Sequence, residues 1–277
     1  MRNQPAAVPP QRRRSLLFRI GQIPAWLGSL LLLAIFLGVW EGYVRAFNVS
    51  AFLLPPPSTV IIAWLEALTS SVLWFHTWIT VVETVLGFLI AVVIGVGLGA
   101  LLGKLPKLEQ TVNPFIVATQ VVPKVALVPL FVVWFGFGLA PKIIIAAVLA
   151  FFPILMNTIL GVKSVDRGHR EVLMSLNASR WQQVTQLEFP SALPYILTGM
   201  EMGIVLSIIG AVVGEYLGGN QGLGNLAVKE MNSYNTTALF AVIVHLSVVG
   251  FAFYAMLVAC RRFAIPWHES VQMSRKP

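Results

Sequence analysis

The chain alternates long apolar runs with short polar interruptions, and the runs have the length of a bilayer. A spanning helix needs roughly 20 apolar residues, and six stretches supply them: 26–47, 77–103, 113–135, 142–162, 195–217 and 237–261. Between the first two, Pro55, Pro56 and Pro57 stop any helix and Ser58 offers a cap for a new one. Residues 61–68 then predict a short amphipathic helix, too short to cross, that lies along the membrane surface. A glycine-rich stretch at 218–224 precedes a second short helix, 226–231, re-entrant or surface-bound. The longest polar segment between apolar runs is 163–194.

The third run is broken. Pro123 and Pro129 interrupt it, and Gly136 and Gly138 end it. A broken helix at membrane depth is tolerated where it is buried in protein or lines a cavity, so Pro123, Lys124 and Pro129 are candidate walls of a pathway. Ionisable residues at this depth are few: Glu83, Lys124 and Glu201, with Glu41 and Glu215 at the margins. Such groups face a cavity or a partner. For Lys124 two readings stand side by side, an ion pair with Glu83 or Glu201, or a pathway position that attracts an anion. In the second run Gly95, Gly99 and Gly103 recur every four residues and form one smooth face for close helix approach. That face serves packing within the chain or between subunits.

Segment 163–194 carries its own punctuation. Asp166 is placed to cap a helix running to Leu176. Asn177 stands at the break, where a left-handed residue is wanted. Ser179 and Gln182 have the spacing of a capping box for a second helix, which is expected to end before Pro190. A plain connecting loop needs no pair of capped helices, so the segment reads as a docking element.

Composition settles the class. The chain is 57% hydrophobic and 11% charged, against about 25% charged in soluble domains, which makes it an all-α polytopic membrane protein surrounded by lipid. The net charge of +8 does not point to nucleic acid. Fifteen basic residues fall on one side of the six runs and three, Arg45, Lys142 and Lys229, on the other. The basic side is the cytoplasmic side, so both termini and segment 163–194 are expected there. Residues 1–22 then form a basic tail, 23–265 the transmembrane domain and 266–277 a C-terminal tail, with the first run retained as a span rather than cleaved as a signal.

The single Cys260 excludes an internal disulfide, and His76, His169, His245 and His268 lack ligand spacing. His245 reads as a satisfied packing residue. Gly103-Lys104 lacks the rest of a phosphate loop, and Gly222-Leu-Gly224 follows no strand. No Ser/His/Asp set occurs, so the chain is not expected to be an enzyme by itself.

Glu171-Val-Leu, Asn177 six residues after Glu171, and Leu187-Glu-Phe-Pro190 follow a known spacing: Glu-Ala-Ala, three residues, Gly, nine residues, Ile-x-Leu-Pro. In this the chain resembles the permease subunits of bacterial ABC importers of the binding-protein-dependent type. Glu171 and Pro190 match, and the other signature positions are replaced. LLPPPSTV at 53–60, PKVALVPLFVVWFGFG at 123–138, GLGNLA at 222–227 and PWHE at 266–269 are similar to the nitrate/sulfonate/taurine branch, and the resemblance spans most of 50–268.

The resemblance implies a type I ABC importer permease fold in a bacterial inner membrane. It implies a permease homodimer, or a pair with a close paralogue, and an extracytoplasmic solute-binding protein. It also implies two ABC ATPase subunits that hold the ATP and Mg²⁺, this chain binding no cofactor of its own. Each ATPase would receive a cytoplasmic coupling helix at Arg170, Glu171, Leu176, Asn177, Ala178, Ser179 and Arg180, with Pro190 closing the signature. The solute would be an anion like nitrate, a sulfonate or taurine. Glu83 and Glu201 stand where relatives often carry Arg, which keeps a pyrimidine vitamin precursor or an aromatic acid as the alternative. From another class, the alternative is an independent secondary transporter or channel.

Overall fold

The computed structural model describes residues 25–266. The N-terminal tail 1–22 and the end of the chain from Trp267, which includes most of the PWHE motif, lie outside the described residues. Contacts divide the described chain after Ser58 into two units, taken here in turn.

The first unit is a span and the turn that follows it. Helix α1 (Ala25–Ala46) is apolar along most of its length and exposes most of its side chains, as a lipid-facing helix does. Near its end Glu41 pairs with Arg45 at 2.6 Å and accepts bonds from the Ser58 backbone N–H at 3.0 Å and the Ser58 hydroxyl at 2.8 Å. Helix α2 (Pro57–Ala67) therefore begins at Pro57, not after a Ser58 cap. Proline has no N–H to lose and its φ is already helical, and the Glu41 carboxylate takes the open amide that a cap would have taken.

The second unit is built on α6 (Leu139–Lys163). Helices α3 (Ser71–Lys104) and α9 (Phe189–Gly218) both pack against it and touch each other, the Ser207 hydroxyl donating to Thr84 O at 2.9 Å. Both present glycines to α6. A Cβ on Gly99 would come within 2.6 Å of the Thr158 Cβ, and one on Gly210 within 2.7 Å of the Ala146 Cα. Helices without a solvent drive to associate gain from such close backbone approach. The 95–99–103 face is thus used inside the chain, against Ile154, Thr158 and Val162. At 1.5 Å per residue the 34-residue α3 is about 50 Å long, well beyond a hydrocarbon core of about 30 Å. It ends at Lys104 on one side and begins at the Ser70 cap on the other.

Two expectations change. The third run is broken once, not twice. Helix α4 (Pro106–Val121) ends at the Val122-Pro123 break, a 3₁₀ turn follows at Lys124–Leu127, and α5 (Val128–Phe135) leaves at 80° to α4. Pro129 starts α5 rather than breaking it. The second helix of segment 163–194 does not stop before Pro190. After α7 (Arg167–Ser175), α8 (Arg180–Gln183) passes through a π segment at Val184–Glu188 into α9, one apolar helix of 39 residues. Pro190 has no N–H and its ring presses on the carbonyl four residues back; the widened π turn makes room there. Helices α10 (Leu223–Asn232) and α11 (Thr236–Ala264) complete the unit. Among the described residues, five helices are long and apolar enough to cross a membrane, or six if α4 and α5 count as one bent span.

Candidate functional site

Three polar regions interrupt the apolar body of the second unit. The first is at the basic end. Asp166 caps α7 by accepting from the N–H groups of Gly168 (2.7 Å) and His169 (3.1 Å). Asn177 has φ +52°. Around it, Ala178 N–H donates to Leu173 O and Asn177 N–H to Met174 O, both at 3.0 Å. This is the paired bonding of a Schellman helix end. Ser179 and Gln182 then form a complete capping box. The segment is held stiffly, yet it exposes Val172, Met174, Leu176 and Trp181, the last 74% accessible. Glu171, Asn177, Ser179 and Arg180 are exposed, Ala178 and Pro190 partly buried.

Glu188, in the π segment, ties this region to the bundle. It pairs with Lys104 at the end of α3 (2.7 Å) and with Arg170 of α7 (3.2 Å). Lys163 pairs with Glu109 of α4 nearby.

The second region is a cavity of about 380 Å³ at the break between α4 and the 3₁₀ turn. Gln120, Lys124, Phe152 and Asn157 line its polar part, with Met156 and Met202 among its apolar walls. The Lys124 ammonium stands 4.7 Å above the Phe152 ring and donates to the Gln120 carbonyl at 3.3 Å, a cation–π geometry. Asn157 donates to Pro153 O at 2.8 Å.

The third region is buried at the opposite end of the bundle. Lys142, in the first turn of α6, pairs with Glu83 of α3 at 2.8 Å; the two side chains are 2% and 0% exposed. Lys142 also donates to the Gln221 carbonyl at 3.0 Å. Glu215 of α9, fully buried beside Glu83, accepts from Thr80 at 2.5 Å and from Gly224 N–H at 2.6 Å. His76 accepts from Gly222 N–H and Thr80 from Leu223 N–H. Gly222 has φ +102°, and a Cβ there would collide with the Glu215 carboxylate, so only glycine fits. These backbone donors are all engaged within the chain, so the Gly222-Leu-Gly224 turn presents no phosphate cradle. His245 is satisfied in the same internal way: Trp64 donates to its Nδ1 at 3.3 Å, and its Nε2 meets Thr77 at 3.0 Å.

The proposed partners of Lys124 are corrected by these contacts. Glu83 belongs to Lys142, and both Glu201 oxygens accept from the one Arg261 Nη1, at 3.1 and 3.2 Å. Lys124 faces the cavity instead. Pro123 shapes the break beside it, Pro129 opens α5, and Glu83 and Glu201 lie elsewhere in ion pairs. Lys142, Glu188 and Arg261 were not singled out by the sequence. Lys142 counts there as a loop charge, because the fourth apolar run reads as starting at residue 142; α6 begins three residues earlier and carries it into the bundle.

Long apolar helices packed through glycine faces, a broken helix lining a cavity and a stiff exposed segment at the basic end define a multi-pass membrane transport subunit. The chain belongs to the family described as binding-protein-dependent transport system inner membrane component, whose model matches residues 91–263. It is 35% identical over 242 residues to the riboflavin transport system permease protein RibX of Chloroflexus aurantiacus, covering 87% of this chain and 89% of that one. It is 33% identical over 231 residues to the formylaminopyrimidine transport permease protein ThiX of Halalkalibacterium halodurans, covering 83% and 92%. It is 31% identical over 245 residues to the taurine transport system permease protein TauC of Escherichia coli, covering 87% and 89%. Among solved structures, the inward-facing MetNI methionine ABC transporter matches with TM-score 0.58 at 20% identity, over 69% of this chain and 95% of that one. The fold is that of a type I ABC importer permease. The chain is a permease subunit and not an enzyme; ATP hydrolysis belongs to a separate subunit.

Proposed function

We propose that two copies of this chain, or one copy and a close paralogue, form the membrane pathway of an ATP-driven importer in a bacterial inner membrane. The basic end faces the cytoplasm, a placement that the excess of Lys and Arg there supports. An extracytoplasmic binding protein delivers the solute to the opposite end. Two ATPase subunits hold ATP and Mg²⁺, and each receives one segment from Arg170 to Arg180. ATP binding closes the ATPases and moves these segments; hydrolysis and product release return them. Motion of α7 reaches α3 and α9 through Arg170, Glu188 and Lys104.

The observation that carries this reading is the exposed apolar set Val172, Met174, Leu176 and Trp181 on a segment capped at both ends. Exposed apolar groups on a rigid polar segment mark an interaction site. Glu171 stands beside them as the charged contact, and Asn177 sets the turn.

The solute is a small anion of the nitrate, sulfonate or taurine kind, and Lys124 is the cation that meets it. The relatives named for riboflavin and formylaminopyrimidine support a pyrimidine or aromatic solute as the second reading, because Phe152 and the amides of Gln120 and Asn157 border the same cavity. Purification of the tagged chain with its ATPase tests the coupling role. The ATPase is retained by wild type and lost in Glu171→Ala or when residues 171–179 are scrambled. Equal retention by all three overturns the assignment.

A further inference from the structure

The cavity at the α4 break has a one-sided chemistry that narrows what passes through it. Lys124 is the one ionised side chain among the residues that line it, and none of those residues is acidic. Apart from Lys124, Gln120 and Asn157 the lining is apolar and includes Leu149, Met156, Met202 and Leu206. The volume, about 380 Å³, lies within the roughly 300–1,000 Å³ of small-molecule sites. The three N–H groups of Lys124 are only partly used. One meets the Gln120 carbonyl, and the Phe152 face holds the ammonium in place beside the cavity. Asn157 donates one amide N–H to Pro153 O and keeps a second N–H.

From this arrangement we propose that the cavity is a passage site for organic monoanions that carry an apolar body and no cationic group. The proposal rests on the import reading above and keeps only the sulfonate kind among its solutes, setting nitrate and the zwitterion taurine aside. The acid group meets the Lys124 ammonium and the amides; the body covers the methionine and leucine wall. A bare inorganic anion satisfies Lys124 and leaves that wall without a partner. A zwitterion brings its own cation to a site where no lining residue of this chain is a carboxylate and the Lys124 ammonium repels it. Selection against the wrong solute thus comes from what is missing as much as from what is present.

The test uses the full chain assembled with its ATPase in lipid nanodiscs and 4-fluorobenzenesulfonate as probe, observed by ¹⁹F NMR line broadening. Wild type is expected to broaden the line, and unlabelled benzenesulfonate to restore it. Lys124→Met is expected to weaken binding by about tenfold or more, the scale of a charged hydrogen bond. Lys124→Arg is expected to hold the probe within about threefold, because it keeps the charge and donors. Nitrate and taurine in large excess leave the wild-type line broad. Displacement by nitrate shows that charge alone suffices and overturns the proposal, and so does displacement by taurine. Equal broadening in Lys124→Met also overturns it, as does a sharp line in wild type. The displacement arm uses only wild-type protein and does not depend on a variant folding. ATPase retention is read in the same samples, so loss of the solute class with the ATPase still bound leaves the import reading standing.

Discussion

Replacing Lys142 with Met removes the cation bonded to Glu83 in the interior of the bundle. Both side chains are essentially inaccessible, at 2% and 0% exposure. Glu215, also fully buried, lies alongside. Removing one partner of a buried pair costs about 3–5 kcal/mol, chiefly because the other charge is left uncompensated. Lys142 also holds the Gln221 carbonyl, worth about another 1 kcal/mol. The same penalty is relieved when the carboxylate goes too, so Glu83→Gln in the Lys142→Met background is expected to recover about 2 kcal/mol or more, within the range of coupling energies for residues in contact. Arg45→Met serves as the control: its pair with Glu41 has a 69% exposed cation and an expected cost of about 0–1 kcal/mol. The measurement is reversible unfolding of the purified chain in mixed micelles, followed by tryptophan fluorescence. A Lys142→Met protein within about 1 kcal/mol of wild type would refute the reasoning. So would a double variant whose loss equals the sum of the single ones.

Three further outcomes are expected. Asn177 has φ +52°, so Asn177→Gly should leave ATP-driven uptake within about twofold of wild type, whereas the β-branched Asn177→Val should abolish most of it; equal uptake in both variants would show that the turn does not matter. Gly99→Leu should destabilise the chain by several kcal/mol, on the order of 3, because a Cβ at that position would already come within 2.6 Å of the Thr158 Cβ; unfolding of the purified variant checks this. Glu188→Gln breaks the pairs to Lys104 and Arg170, whose cations are both 45% exposed. It should therefore change stability by less than about 2 kcal/mol for the two pairs while lowering uptake per ATP hydrolysed; an unchanged ratio would show that the bridge does not transmit.

The parts of this protein that depend on local chemistry were legible in its sequence. Bilayer thickness fixes the length of apolar runs, so the spans at α1, α3, α6, α9 and α11 follow directly. Proline before Lys124 marks the break, and Asp166, Asn177 and Ser179 each signal a helix end through their own side chain or φ. What depends on how helices pack was not legible. The charge at Lys142 is the same whether it lies in a loop or in the first turn of α6. Only the close approach of α3 to α6 through Gly87 and Gly95 brings it to Glu83. Pro190 reads as a stop because a regular helix cannot hold it; the π turn that accommodates it is a property of the folded backbone. The cavity at Lys124 was half visible, since a broken helix needs a cavity or a protein neighbour, and the chain alone does not say which carboxylates are already engaged elsewhere.

The most direct test of the account is solute uptake into proteoliposomes measured together with ATP hydrolysis. With the ATPase and binding protein present, uptake should require ATP and should stop when residues 171–179 are scrambled. Uptake by this chain alone, without ATPase or ATP, would contradict it.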